Sequence, residues 1–134
     1  MVCIQCGQKT GISNSRPQRR SNQVWRRRQC ESCGTVFTTL EAVDYSVAWA
    51  VRGRNDRLLP FSRDSLFLSL YDACQHRPHA LPDAAALTDT IIAKLGSKAQ
   101  QGVLSGASIK QVALVALNRF DKAASVRYAA LHQA

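Results

Sequence analysis

Cys3-Ile4-Gln5-Cys6-Gly7 and Cys30-Glu31-Ser32-Cys33-Gly34 are two copies of one unit, C-x-x-C-G. Each pair can present two thiolates to one metal ion from a tight turn. The glycine after each second cysteine suits a backbone that must pass through positive φ. Two such turns make a tetrahedral four-sulfur site, the preferred geometry of structural zinc. The 23 residues between Cys6 and Cys30 slightly exceed the usual spacing, and a strand-and-loop excursion absorbs the excess. Cys3, Cys6, Cys30 and Cys33 are therefore the expected ligands of one Zn2+ per chain. Disulfides are the competing chemistry. Nothing at the N-terminus resembles a secretory leader, so a reducing, cytoplasmic setting is expected, where disulfides do not persist. A redox C-x-x-C would sit beside a βαβ pattern, and none is visible. The fifth cysteine, Cys74, lies on an apolar helical stripe and reads as core packing.

The stretch between the two cysteine pairs carries a second chemistry. It holds Arg16, Arg19, Arg20, Arg26, Arg27 and Arg28, and no acid. The planar guanidinium fork pairs with phosphate oxygens or guanine edges. Trp25 is interleaved, and can pack under a sheet or stack on a base or sugar. The competing reading is a solvated basic loop whose arginines pair with acids elsewhere. Only nine acids exist in the chain, against a formal net charge of +9. That balance favours a polyanionic partner, nucleic acid before membrane surface. No apolar run approaches the ~20 residues that span a bilayer.

The elements that must position these groups follow from residue periodicity. Val24–Arg28 and Val36–Leu40 read as paired strands of a small ribbon. Phe37 is expected to face the ribbon's core with the threonines outward. Arg26 and Arg28 are expected on one face, with Arg27 on the other. The first 45 residues are too few and too polar to build a core alone, so the metal must supply folding free energy. Beyond a short connector at Glu41–Asp44, Val47–Val51 and Leu58–Phe61 read as strands flanking a charged turn, a β-hairpin over 47–61. Four helices are then expected. The first is capped by Ser62, with Leu66, Leu70 and Cys74 on one stripe and Phe67 and Tyr71 beside it. Pro78 and Pro82 punctuate a loop. The second helix spans about Asp83 to Leu95, with Leu87, Ile91 and Leu95 inward and Gly96 as C-cap. The third spans about Ser108 to Arg119, with Ile109, Val112, Ala116 and Phe120. The fourth is capped by Asp121, with Ala124, Tyr128 and Leu131 on one stripe. The fold class is α+β. A small N-terminal zinc ribbon over 1–45 precedes a β-hairpin and helical bundle over 46–134.

Catalysis has little support. A closed four-cysteine site leaves no open metal position. His76, His79 and His132 pair with no recognisable nucleophile or carboxylate cluster, and His76 and His79 read as solvated surface. No P-loop or dinucleotide fingerprint is present.

Taken in order, C-x-x-C-G, SNSRP, WRRRQCESCG, FTTLE, PFSRDSL, YDACQHRP and FDKAASVRYAALH resemble the bacterial NrdR repressors of ribonucleotide reductase genes, along almost the whole chain. The resemblance implies an N-terminal zinc ribbon that binds operator DNA in the cytoplasm, at the nucleoid. It also implies an ATP-cone domain in which adenine nucleotides, ATP or dATP, govern homo-oligomeric state. Val51, Arg52, Arg54, Arg57 and Arg63 are the nucleotide-binding residues it suggests. Several positions depart from the family pattern. Asn14 stands for the usual Asp and Val36 for an Arg. Arg52 or Gly53, depending on where one extra residue is placed, stands for a lysine, and Leu59, Ser65 and Ser125 replace a glutamate, a lysine and an aromatic, which implies a weaker hold on nucleotide. The alternative function is a zinc-ribbon module that binds protein or RNA, with a degenerate cone that only assembles subunits.

Overall fold

A computed structural model describes residues 1–133. The chain divides into two compact units, one over Met1–Val43 and one from Asp44 onward. The first is a three-stranded antiparallel sheet of β1 (Thr10–Gln18), β2 (Gln23–Cys30) and β3 (Val36–Ala42), in the order β1-β2-β3. The two strands expected at 24–28 and 36–40 form within β2 and β3 and pair. Their β-branched and aromatic residues suit a pleated surface, and Asn22 at φ 50° closes the β1–β2 turn. A bulge between Ile12 and Asn14 resets the register of β1, so that Asn14 faces Arg27 and Arg16 faces Trp25. Arg26 and Arg28 alternate with Trp25 and Arg27, as the period of two requires. The same period corrects one expectation. Thr38 is exposed, but Thr39 lies two residues from Phe37 and shares its half-buried face. The only fully buried residues in this unit are Cys3 and Cys30.

The second unit opens with α1 (Tyr45–Ala48), a single turn that replaces the first half of the expected strand at 47–51. Asp44 starts it by accepting from the Ser46 amide at 3.1 Å. Val47 is left 84% exposed, which overturns its reading as a sheet residue. The strand β4 (Ala50–Arg52) pairs antiparallel with β5 (Leu58–Pro60), so the hairpin forms but is shorter than expected. A third strand, β6 (Val103–Ser105), lies parallel to β4 on its other side. Three residues are too few to show a period, and the sequence reading left this strand out.

Four longer helices complete the unit: α2 (Arg63–Cys74), α3 (Ala80–Leu95), α4 (Gly106–Phe120) and α5 (Lys122–Leu131). Ser62, Ser105 and Asp121 cap α2, α4 and α5 through their side-chain oxygens. Pro82 lies within the first turn of α3 rather than in the preceding loop. The first amides of a helix have no intrahelical acceptor, so proline's missing N–H costs nothing there. Gly96 does cap α3, but with right-handed dihedrals. One core holds the unit together: Phe61, Leu66, Leu70, Cys74, Leu87, Ile91, Leu95, Leu104, Val112, Leu117 and Tyr128 among others. Tyr45, Trp49 and Phe61 form an aromatic cluster at its edge, with Trp49 and Phe61 centroids 5.4 Å apart. Leu131 is not part of the core. It is 58% exposed, and His132 stacks on Tyr128 at 4.1 Å instead, one full turn on. His76 is also not simply solvated. Its ring contacts Asp121 at 3.1 Å, and Asp121 also accepts from Arg77.

Candidate metal centre and nucleic-acid interface

The two cysteine pairs fold into matching turns. Gly7 and Gly34 both sit at φ 77°. Each donates its amide to the carbonyl of the first cysteine of its unit, at 3.1 Å in both cases. Positive φ frees that geometry for glycine and strains it for other residues. The Gln5 amide points at the Cys3 sulfur (3.3 Å) and the Cys33 amide at the Cys30 sulfur (3.4 Å). At Cys3 such amides, from Cys6 and then Gln5, draw the thiol down and favour thiolate.

The turns then face each other. Cys3 and Cys33 sulfurs are 3.6 Å apart, Cys6 and Cys30 sulfurs 3.5 Å, and all four lie within 4.8 Å of one another. Zn–S bonds of about 2.3 Å at tetrahedral angles separate sulfurs by about 3.8 Å. The donor set and its dimensions therefore fit zinc, and all five cysteines are free of disulfides. The thiols also perturb one another. The Gln8 amide draws Cys6 down, but Cys30, burial, Cys33 and Cys3 outweigh it and push Cys6 up to about 12. The Thr35 hydroxyl leads in holding Cys33 at about 6. Four thiolates cannot share so small a space unaided, and a divalent cation at their centre removes the conflict. Cys74 is fully buried, and burial pushes its thiol up, so it stays a protonated core residue.

The ribbon sheet divides the six arginines. On one face Arg26 donates to the Ser15 hydroxyl at 3.0 Å and pairs with Glu41. Arg28 on that face reaches the hydroxyls of Thr39 and Thr10, both at 3.4 Å. On the other face Arg27 stands between Asn14 and Thr38, and Trp25 between Arg16 and Leu40. Asn14, Arg16, Trp25, Arg27 and Thr38 line one shallow groove of about 270 Å³. Arg19 and Arg20 occupy the exposed β1–β2 turn.

The residues suggested for nucleotide fall in different settings. Arg54 and Arg57 lie in the exposed β4–β5 turn, and Val51 is half-buried in β4. Arg63 pairs with Asp89 at 2.8 Å. Arg52, ion-paired with Asp56 at 3.5 Å, lines a cleft of about 580 Å³ with Lys98, Gln100, Gln101, Val103, Ser105 and Ser108. The sequence reading missed those six partners because they are dispersed around a strand it did not recognise. The only local signal was the Gln101-Gly102 pair, which turns through φ 53° and 76°.

Residues 1–41 match the family described as "Transcriptional repressor NrdR-like, N-terminal domain". The chain is 34% identical over 133 residues to a protein from Symbiobacterium thermophilum named "Transcriptional repressor NrdR", covering 99% of this chain and 87% of that one. It is 32% identical over 134 residues to proteins of the same name from Afipia carboxidovorans and Oceanobacillus iheyensis, covering 99% of this chain and 84% of each. The role those names state is regulatory and not enzymatic. Among the described residues no helix is long and apolar enough to cross a membrane.

Proposed function

We propose, from the premise that the chain belongs to the NrdR family of transcriptional repressors, that it is a zinc-dependent repressor of ribonucleotide reductase genes in the bacterial cytoplasm. In this reading Zn2+ on Cys3, Cys6, Cys30 and Cys33 holds a ribbon, about residues 1–45, that binds duplex operator DNA. Arg16, Arg19, Arg20, Arg26, Arg27 and Arg28 form the basic set on that ribbon. The remainder, residues 46–134, is an ATP-cone-like unit through which ATP or dATP sets the homo-oligomeric state. The observation that carries the reading is the four-sulfur cluster fixing a sheet that displays arginine on both faces.

Support for the nucleotide half comes from the cleft at Arg52. Two cations, two serine hydroxyls and the N-terminus of α4 suit phosphate oxygens. Its volume falls within the ordinary range of small-ligand pockets, roughly 300–1,000 Å³. Arg52 and Lys98 are the residues best placed to hold the phosphates, ahead of Arg54, Arg57 and Arg63. A gel-shift titration on candidate reductase promoters, with and without ATP or dATP, tests the whole reading. Light scattering of the same samples reports assembly. Specific retardation that changes with nucleotide supports it. Binding to no promoter fragment over random DNA would refute the operator claim. An oligomeric state indifferent to both nucleotides would refute the effector claim.

A further inference from the structure

The alternating pattern of β2 puts its tryptophan and its arginines into two different environments. Arg26 and Arg28 are half-buried, and each is held by partners on neighbouring strands: Ser15 and Glu41 for one, Thr39 and Thr10 for the other. They bridge all three strands of a sheet that has no other interior. The Arg16 and Arg27 side chains are exposed on the opposite face, and their guanidiniums make no hydrogen bond or ion pair to another described residue. Between them stands Trp25, 46% exposed, with Leu40 (59%) beside it and Val36 (44%) further along the same face. An indole left this open on a small sheet exposes apolar area that water does not favour. Two unsatisfied guanidiniums bracketing it make the face complementary to a polymer that alternates charge with flat, apolar surface. Duplex DNA has that alternation, in its phosphates and in its sugar and base edges.

We infer that the two faces divide the work: the Arg16–Trp25–Arg27 face lies on duplex DNA, with the Trp25 indole making an uncharged contact to sugar or base edges, while Arg26 and Arg28 act as struts that hold the sheet together. This rests on the reading that the ribbon binds DNA, and it narrows that reading to one face. Asn14 in the same groove adds a side chain that can donate to and accept from a base edge.

The two kinds of contact respond differently to salt. Each phosphate neutralised adds about −0.9 to the slope of log affinity against log salt. An aromatic contact shifts affinity equally at every salt concentration. The test is fluorescence anisotropy of the full-length zinc-loaded protein on one operator duplex, across a salt series, with zinc content and circular dichroism recorded for each variant. Arg16→Ala and Arg27→Ala are each expected to flatten the slope by about 0.9. Trp25→Ala is expected to keep the slope and lose about 5- to 30-fold at every salt, with Trp25→Phe recovering part of the loss. Arg28→Ala and Arg26→Ala are expected to keep the slope and lower the melting temperature of the ribbon. Where those two fail to fold, Glu41→Gln releases Arg26 without removing it, and the slope is expected to stay unchanged. A slope steepened by Glu41→Gln, or flattened by Arg26→Ala in a folded variant, would overturn the division. So would wild-type affinity in Trp25→Ala, or single strands bound as tightly as the duplex, which would place the indole on unpaired bases. Absence of any duplex binding by the wild type is a separate result and sinks the parent reading.

Discussion

Replacing Cys33 by serine is expected to unfold the ribbon and spare the rest of the chain. Only Cys3 and Cys30 are fully buried in the first unit, and both belong to the sulfur cluster. No other interior exists to oppose the entropy of ordering the strands. Structural zinc contributes an apparent ~10–16 kcal/mol to the folding of small metal domains at neutral pH. Losing even a third of that, about 3–5 kcal/mol, matches much of the ~5–15 kcal/mol net stability of an ordinary domain. A three-sulfur site should therefore leave the ribbon largely unfolded at 25 °C, not merely weakened. The second unit has its own core around Leu70, Ile91, Leu95, Leu104 and Leu117, all fully buried, and should keep its stability. Hydrogen exchange separates the two responses in one experiment. Amides of Gln23–Cys30 should lose protection in Cys33→Ser, or after chelation, while amides of Ile91–Leu95 retain theirs. Protected β2 amides in protein shown to hold no zinc would refute the reasoning, because the sheet would then have a source of stability that its burial does not reveal.

Three further outcomes follow from the second unit. Leu70→Ala should cost about 2–5 kcal/mol in urea unfolding, since a fully buried leucine leaves both lost transfer energy and a cavity; a cost below 1 kcal/mol would mean that the core collapses around the gap. Gly102→Ala should destabilise β6 and the adjoining cleft, because φ there is +76° and the added Cβ would lie 3.0 Å from the Ala48 carbonyl oxygen; a thermal melt indistinguishable from wild type would count against it. Asp121 is held well below the usual carboxylate range, first by Arg77, then by the Ala124 amide and His76. Its folded-state pKa is depressed, so its contribution is present above its unfolded value of about 3.9 and lost as pH falls through the folded one; Asp121→Asn should flatten the acid limb of the melting-temperature profile below about pH 5, and an unchanged acid limb would refute this.

What could be read in advance was whatever repeats or alternates. The C-x-x-C-G unit states its turn, its glycine and its ligands twice over, and the structure brings the four sulfurs together. The alternation of Trp25 to Arg28 fixed which side chains share a face, yet not which face is engaged. That depended on Ser15, Thr10 and Glu41, which come from other strands, Ser15 meeting Arg26 only through a register reset by the bulge at Ile12–Asn14. In the second unit the helical stripes were long enough to show their period. The short strand Val103–Ser105 was not, and with it went the cleft that Lys98, Gln100 and Ser108 build around Arg52. Val47 misled because an apolar residue carries no mark of its surroundings. The Asp44 cap two residues before Ser46 was the local signal for a helical turn there.

The count of unengaged arginines also bears on why a repressor of this design needs its second unit. Arg16, Arg19, Arg20 and Arg27 are the exposed arginines on the ribbon whose guanidiniums have no described partner. Four phosphate contacts give a salt slope of about −3.6, so affinity falls roughly 150-fold between 50 and 200 mM salt. One ribbon would then lose most of its low-salt affinity at physiological ionic strength. Two ribbons joined through their second units would double the slope, and avidity would raise affinity by roughly 10²–10⁴ without any new contact. On the proposed reading, operator occupancy would be controlled by assembly, and an effector would not need to approach the ribbon. In that reading its one requirement would be to bind the proposed cleft at Arg52 more tightly in one assembly than in another, since equal affinity shifts nothing. Each tenfold preference moves the assembly equilibrium by about 1.4 kcal/mol per occupied site. Arg52→Ala and Lys98→Ala should therefore leave the salt slope of a fixed assembly unchanged while abolishing the effect of nucleotide on it. A variant at either position that altered DNA affinity in protein of matched oligomeric state would break the separation of roles.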